Sequence, residues 1–367
     1  MKKIKGKIFL LSILFLVGCH VPSRVALDGA GGRNSYNIAV QMTNMEELLL
    51  NVVRLRYCDT PYFLEVSNIT TQFTYKATTS PTWPIPGFNN ENPFTLGGEW
   101  TWQNQPTISY SPLQGQQFAI QLMQPIDLQS IQQMVYTGWD VDRVFRLVIQ
   151  SFDRLRNTPL TGPIFSETME YKKFFEATRW MREFQKKGVL QVGLKFEDAK
   201  NTDKADQKQI MQIAFPKDSP EADRLAQLLG GVEAKKGLYV LNMLQGFNAN
   251  GGIGVMPRSL LSCMYYLCQS VEVPISHIKK GLAPIPELSE EEMKVWERVV
   301  TDLMSIKTCS RKPKEAYVAV YYRGYWFYID DTDIKSKRTF LLLHQLYQLQ
   351  ASETKSKGPL LTLPIGV

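Results

Sequence analysis

The chain opens with Met1-Lys2-Lys3-Ile4-Lys5-Gly6-Lys7, then Ile8 to Val17, ten residues apolar except for Ser12, then Gly18-Cys19. No other segment constrains the fold as strongly, because this one takes the first 18 residues out of it. Lysines ahead of a short apolar run form the n-region and h-region of a secretory signal. Ten helical residues at 1.5 Å rise reach only ~15 Å, about half of a ~30 Å hydrocarbon core. His20, Pro22 and Arg24 come directly after, so the run reads as an export signal rather than a membrane span.

Leu16-Val17-Gly18-Cys19 resembles the lipobox of bacterial lipoproteins. Small residues before the cut suit a narrow peptidase pocket, and the Cys thiol receives the diacylglycerol. The resemblance implies that Cys19 is lipidated, becomes the new amino terminus and is then acylated. Several acyl chains at ~0.8 kcal/mol per buried CH₂ give durable anchoring, so the membrane is an expected partner. His20 rather than Asp after the Cys points, by the enteric sorting rule, to the outer membrane and the periplasmic side. The inner membrane and the cell surface stay open as alternatives. Residues 19–34 are small and polar and read as a tether. Residues 35–367 remain for the globular part, as one region or as two subdomains divided near 198–208.

The signal also explains most of the charge. The chain has 42 Lys+Arg against 35 Asp+Glu, a formal +7, and Lys2, Lys3, Lys5 and Lys7 belong to the signal. The mature remainder is close to neutral, so nucleic acid is not an expected partner. With 44% apolar residues the chain has ample surface to offset ordering entropy, which excludes disorder for most of it.

Along the mature chain, Thr43-Asn44-Met45-Glu46 reads as a capping box opening a helix to about Tyr57. Residues 62–76 read as strand, 78–98 as a Pro-rich loop, and Trp100 to Tyr110 as a strand broken by Pro106. Helices come next at about 115–123 and 127–137. Asp140 caps a third, whose apolar positions Val141, Val144, Phe145, Val148, Phe152 and Leu155 recur at helical spacing. Further helices are expected at about 168–186, 220–229, 258–271, from Ser289 to about Ile306, and 335–351. Strands are expected at 189–196, 209–215, 238–243 and 360–365, with a hairpin of 317–322 and 325–329 turning at Arg323-Gly324. Residues 245–257 read as a Gly-rich loop. Helices and mainly antiparallel strands interspersed without a βαβ rhythm, and without a repeat, predict an α+β fold.

Candidate chemistry is sparse. The histidines are His20, His277 and His344, and none has a metal ligand at zinc spacing. No metal or cofactor is expected. Asp330, Asp331 and Asp333 could hold a hard cation, but acids at a helix start are ordinary caps. Cys58 or Cys263 with His277 or His344 could form a nucleophilic dyad, although Cys263 lies among core residues. The glycines of 245–257 match no phosphate-binding fingerprint. No catalytic residue is assigned. After Cys19, four cysteines remain, and Cys263 and Cys268 point ~140° apart on a helix, so any bridges run to Cys58 or Cys309. Trp83, Trp100 and Trp102, among Pro, Asn and Gly, form a candidate binding surface for a glycan or a protein, or else cover a sheet.

Three stretches carry a further likeness: LLLNVVRLRYCDTPYFL at 48–64, RSLL with VEVP at 258–261 and 271–274, and GYWFYIDD with LLTLP at 324–331 and 360–364. Together they resemble a group of uncharacterised bacterial envelope lipoproteins. The resemblance implies the lipid anchor and assigns no activity. The expected function is that of a lipid-anchored, non-enzymatic scaffold, complex subunit or binding module with an envelope protein or glycan as partner. The alternative is a periplasmic hydrolase acting on cell wall or glycan.

Overall fold

The computed structural model describes residues 32–81, 96–113, 116–153, 155–157, 168–196, 209–230, 232–246, 252–284, 301–351 and 361–364. In chain order the elements are α1 (Arg33–Arg56), β1 (Phe63–Pro81), β2 (Leu96–Leu113), α2 (Gln116–Met123), α3 (Leu128–Tyr136), α4 (Val141–Val148), β3 (Ile149–Phe152) and β4 (Leu155–Arg156). Next come α5 (Thr168–Lys186), β5 (Gln191–Phe196), β6 (Gln209–Pro216), α6 (Pro220–Leu229), β7 (Glu233–Lys235), β8 (Leu238–Gln245), β9 (Ile253–Pro257) and α7 (Leu260–Cys268). The last are α8 (Ile275–Lys279), β10 (Lys307–Cys309), β11 (Ala316–Tyr322), β12 (Tyr325–Asp330), α9 (Ile334–Ala351) and β13 (Leu361–Pro364). This is the expected α+β class.

The chain divides into two compact units: residues 1–44, 64–112 and 357–367 form one, and 45–63 with 113–356 form the other. The first contains a sheet of order β1-β2-β13. Ser67, near the start of β1, donates to Ser111, near the end of β2, at 2.6 Å. β13 pairs antiparallel with a short part of β2, Leu361 opposite Tyr110 and Pro364 opposite Thr107.

The second unit is built on a seven-stranded sheet of order β4-β3-β9-β8-β6-β5, with β7 also on β8. Its pairings are antiparallel except β8–β9. Helix α5 buries Phe174, Ala177, Met181 and Phe184, one stripe at helical spacing. Phe174 stacks on Phe152 at 5.1 Å and Phe184 on Phe215 at 5.5 Å, which seats the helix across β3 and β6. β5, which with β6 flanks 197–208, pairs along its full length with Gln209 to Ala214 of β6. A second sheet of order β10-β12-β11 carries the expected hairpin. Its turn has φ of 47° at Arg323 and 88° at Gly324, the two positive values of a type I′ turn.

Four local expectations are corrected. Helix α1 starts at Arg33, not at Thr43, and the Thr43 hydroxyl bonds back to the carbonyls of Ala39 (2.9 Å) and Val40 (3.1 Å) instead of capping. Helix α4 stops at Val148, because Ile149 turns to extended backbone and enters the sheet against Pro257. The apolar run through Leu155 fits both periods, so burial in a sheet explains it equally well. Asp140 sits at the start of α4 without a side-chain cap hydrogen bond, and its carboxylate pairs with Arg182 instead. The end of the Gly-rich loop is strand β9, buried at Ile253, Gly254 and Val255. The expected helix start at Ser289 and the linker core 198–208 lie outside the described residues.

Candidate functional site

Helix α1 ends in a Schellman motif. The Cys58 N–H donates to Leu55 (3.1 Å) and the Asp59 N–H to Arg54 (2.9 Å). Cys58 occupies the left-handed position, φ 60°, which usually belongs to glycine. This reversal sends Tyr57 inward, 4% exposed, and leaves the Cys58 thiol exposed. Asn51 then pins the chain beyond the helix, giving one hydrogen bond to the Tyr62 carbonyl (2.7 Å) and taking one from its N–H (2.9 Å).

Residues from three parts of the second unit meet around Tyr57. Its hydroxyl lies 2.8 Å from Nδ1 of His277 on α8. Its ring packs edge-on against His277, Tyr322 and Phe327, with the Arg323 guanidinium 5.3 Å from its centroid. Asp59 accepts hydrogen bonds from the Tyr322 hydroxyl and from Arg323 Nη2 (2.8 Å). Tyr325 lies across His277 at 5.0 Å and bonds Ser276 at 3.0 Å. Burial pushes the Tyr57 phenol up to about 12, so it stays protonated and serves as donor. Burial and the nearby Lys280 charge lower His277, which keeps its ring neutral at pH 7. The Tyr322 hydrogen bond holds Asp59 below the usual carboxylate range. The 48–64 stretch and the 324–331 stretch thus meet through Tyr57 and Phe327, with Tyr322 and Arg323 just ahead of the latter.

A second polar centre lies at the carboxyl end of α4. Arg258, between β9 and α7, is fully buried, and its Nη1 donates to the carbonyls of Arg146 (3.0 Å), Leu147 (2.8 Å) and Ile149 (3.3 Å). Asn157 Nδ2 adds bonds to Arg146 and Ile149, each 2.8 Å. Helix α4 passes straight into β3 without a glycine turn, so side chains satisfy the carbonyls that a C-cap motif would otherwise take. The positive charge at this end also opposes the helix dipole. Arg258 lies over the Tyr266 ring at 4.3 Å. Arg146 pairs with Asp302 at 2.8 Å and lies over Phe175 at 4.8 Å.

The residues singled out from sequence are spread over several elements. Cys19 and Trp83 lie outside the described residues. Trp100 and Trp102 lie two apart on β2. Cys263 is buried in α7, its thiol pushed up to about 12 by desolvation and directed at the Leu147 carbonyl. Cys268 is likewise pushed up to about 12. Neither candidate thiol is hydrogen-bonded to an imidazole among the described residues, and Cys58, Cys263, Cys268 and Cys309 stand as free thiols. Asp333 caps α9 through the Ser336 N–H (3.1 Å), and Asp330 takes the Thr332 N–H (3.0 Å) and Lys307 (3.0 Å). No group of three metal-ligating side chains occurs among the described residues. No helix of the described residues is long and apolar enough to cross a membrane.

Sequence reasoning missed Tyr57, Asp59, Tyr322 and Arg258. Only Arg258 carried a local signal, a lone cation between Pro257 and the apolar run Leu260-Leu261. The others meet across more than 200 positions. No protein-family model, no curated protein and no solved structure matches this chain.

Proposed function

We propose that the protein is a lipid-anchored component of the cell envelope, attached through Cys19 at the outer membrane, which binds other chains rather than converting a substrate. The observation that carries this reading is the β1–β2 pair. Strands of 19 and 18 residues, far longer than the usual five or six, belong to the first compact unit except at Phe63 and Leu113. Main-chain hydrogen bonding along a strand edge is one way in which a protein takes up another chain. The groups that meet around Tyr57 act as a clamp in this reading. Asp59 is occupied by Tyr322 and Arg323, and His277 Nδ1 by Tyr57. The anchor would hold the binding unit near its partner and raise its effective concentration.

Two measurements on the full chain test this. Cys19→Ser should leave the protein unprocessed or release it from membranes; unchanged membrane retention contradicts the anchor. Crosslinking in native envelopes should recover a specific protein, with no release of peptidoglycan fragments by the purified chain. Turnover of peptidoglycan sinks the binding reading and favours a hydrolase.

A further inference from the structure

Helix α6 and strands β6 and β8 frame a cleft of about 510 Å³, inside the ~300–1,000 Å³ range of small-molecule sites. It opens to solvent, and Lys217, Asp223, Ala226, Gln227, Val232 and Tyr239 line it. The local sequence builds it. Ser219 accepts from the Ala222 N–H at 3.2 Å, and Pro220 opens α6. Ala222, Leu225 and Leu229 turn one stripe of that helix into the core. Asp223, Ala226 and Gln227, at i, i+3 and i+4, form another stripe, which faces the cleft. Positive φ at Lys236 (50°) and Gly237 (80°) turns β7 into β8. The Gly237 carbonyl takes the Lys217 N–H at 2.9 Å, which holds Lys217 beside the start of β8. Tyr239 stands opposite Phe215 and packs on its ring at 5.6 Å.

The cleft carries charge of both signs. The Tyr239 hydroxyl donates to Asp223 at 2.5 Å, and Lys217 Nζ lies 5.3 Å from the Tyr239 ring centroid. One aromatic ring thus has the anion at its hydroxyl end and the cation over its face. Asp223 and Lys217 are each engaged by Tyr239 rather than by one another. A carboxylate accepts several hydrogen bonds and an ammonium donates three, so both groups retain capacity for a ligand. A ligand of one sign meets a like charge here. A ligand bearing both signs meets an opposite charge at each end.

We propose that this cleft binds a small zwitterion of the α-amino acid type, a free amino acid or a dipeptide. Its ammonium turns to Asp223 and its carboxylate to Lys217. Ala226 and Val232 take an aliphatic side chain, and the Gln227 amide both donates and accepts toward a peptide group. Pairs between exposed charges are individually weak, so millimolar binding that needs both charges is expected. The cleft lies wholly in the second unit. The inference goes beyond the strand-pair reading and does not depend on it.

The test titrates the full chain with L-leucine and with the dipeptide alanyl-leucine, followed by saturation-transfer NMR. Each probe is also used with its amine acetylated and with its carboxylate converted to the amide. The free zwitterion should bind saturably, and capping either end should weaken it about fivefold. Lys217→Met should weaken the free zwitterion similarly and erase the difference between carboxylate and amide. Asp223→Asn should erase the difference between amine and acetylated amine. Both residues are exposed, so the unfolding midpoint should stay in place and serves as the folding control. Tighter binding of leucine assigns the site to free amino acids, and tighter binding of the dipeptide assigns it to peptides. No saturable binding of either probe, capped forms that bind as well as the free ones, or affinity unchanged in both variants overturns the proposal. None of these results bears on the strand pair.

Discussion

The Tyr57 hydroxyl stands 2.8 Å from Nδ1 of His277, and the two residues are 220 positions apart. This single bond ties the end of α1 to α8 beneath the β11–β12 turn. Tyr57→Phe keeps the ring contacts and leaves a buried acceptor unpaired. The expected cost is about 1–3 kcal/mol of unfolding free energy, read from urea denaturation. A variant as stable as the parent would show that the hydroxyl is not holding the clamp.

The same cluster makes stability fall on the acid side. The His277 pKa is lowered by burial and by Lys280, and that of His344 by burial. A depressed folded-state pKa means that the unfolded chain binds protons first as pH drops. The contribution is therefore complete above the unfolded value of about 6.5 and is lost as pH falls toward the folded values. Asp59, also held low, adds a loss further down. Thermal midpoints should decline from pH 7 to pH 5, and His277→Gln should flatten the His277 part of that decline.

Arg258 replaces a glycine cap with a guanidinium. Arg258→Met strips the carbonyls of Arg146, Leu147 and Ile149 of a buried donor. Roughly 3 kcal/mol of destabilisation is expected by denaturant titration. Arg258→Lys should recover only part of it, because the shorter side chain does not carry its ammonium to the place of Nη1 and loses the flat guanidinium over the Tyr266 ring. A neutral Arg258→Met would mean that these carbonyls find other donors.

Cys58 sits where a side chain is strained. Cys58→Gly removes the left-handed penalty at φ 60° and should stabilise the protein by about 0.5–1 kcal/mol. A shift of the unfolding midpoint in the opposite direction would show that the thiol makes a contact worth more than the strain.

Much of the secondary structure was legible because its causes are local. Asp127 accepts from the Ser130 N–H at 2.5 Å and starts α3 as the sequence suggests, and Arg323-Gly324 turns the hairpin. Boundaries failed where two periods overlap or where tertiary contact decides. Val148-Ile149 fits helix and strand alike, and only pairing with Pro257 chooses. Thr43 looks like a cap until the helix before it is seen. The polar centres were not legible, since Tyr57, Asp59 and Arg258 meet partners placed by the fold and not by spacing. Trp100 and Trp102 fall on β2 as the strand pattern suggests, but the strand's full span from Leu96 to Leu113, unbroken at Pro106, was not legible.

The central claim, binding through the long strand pair, is tested most directly by removing that pair's outer part. Full-length protein and a variant with residues 71–105 replaced by a short Gly-Asn turn are crosslinked in native envelopes. The account predicts that the specific protein crosslinks vanish in the variant while the 113–356 region keeps its unfolding transition. Unchanged crosslinks from a variant that lacks the outer strands would contradict it.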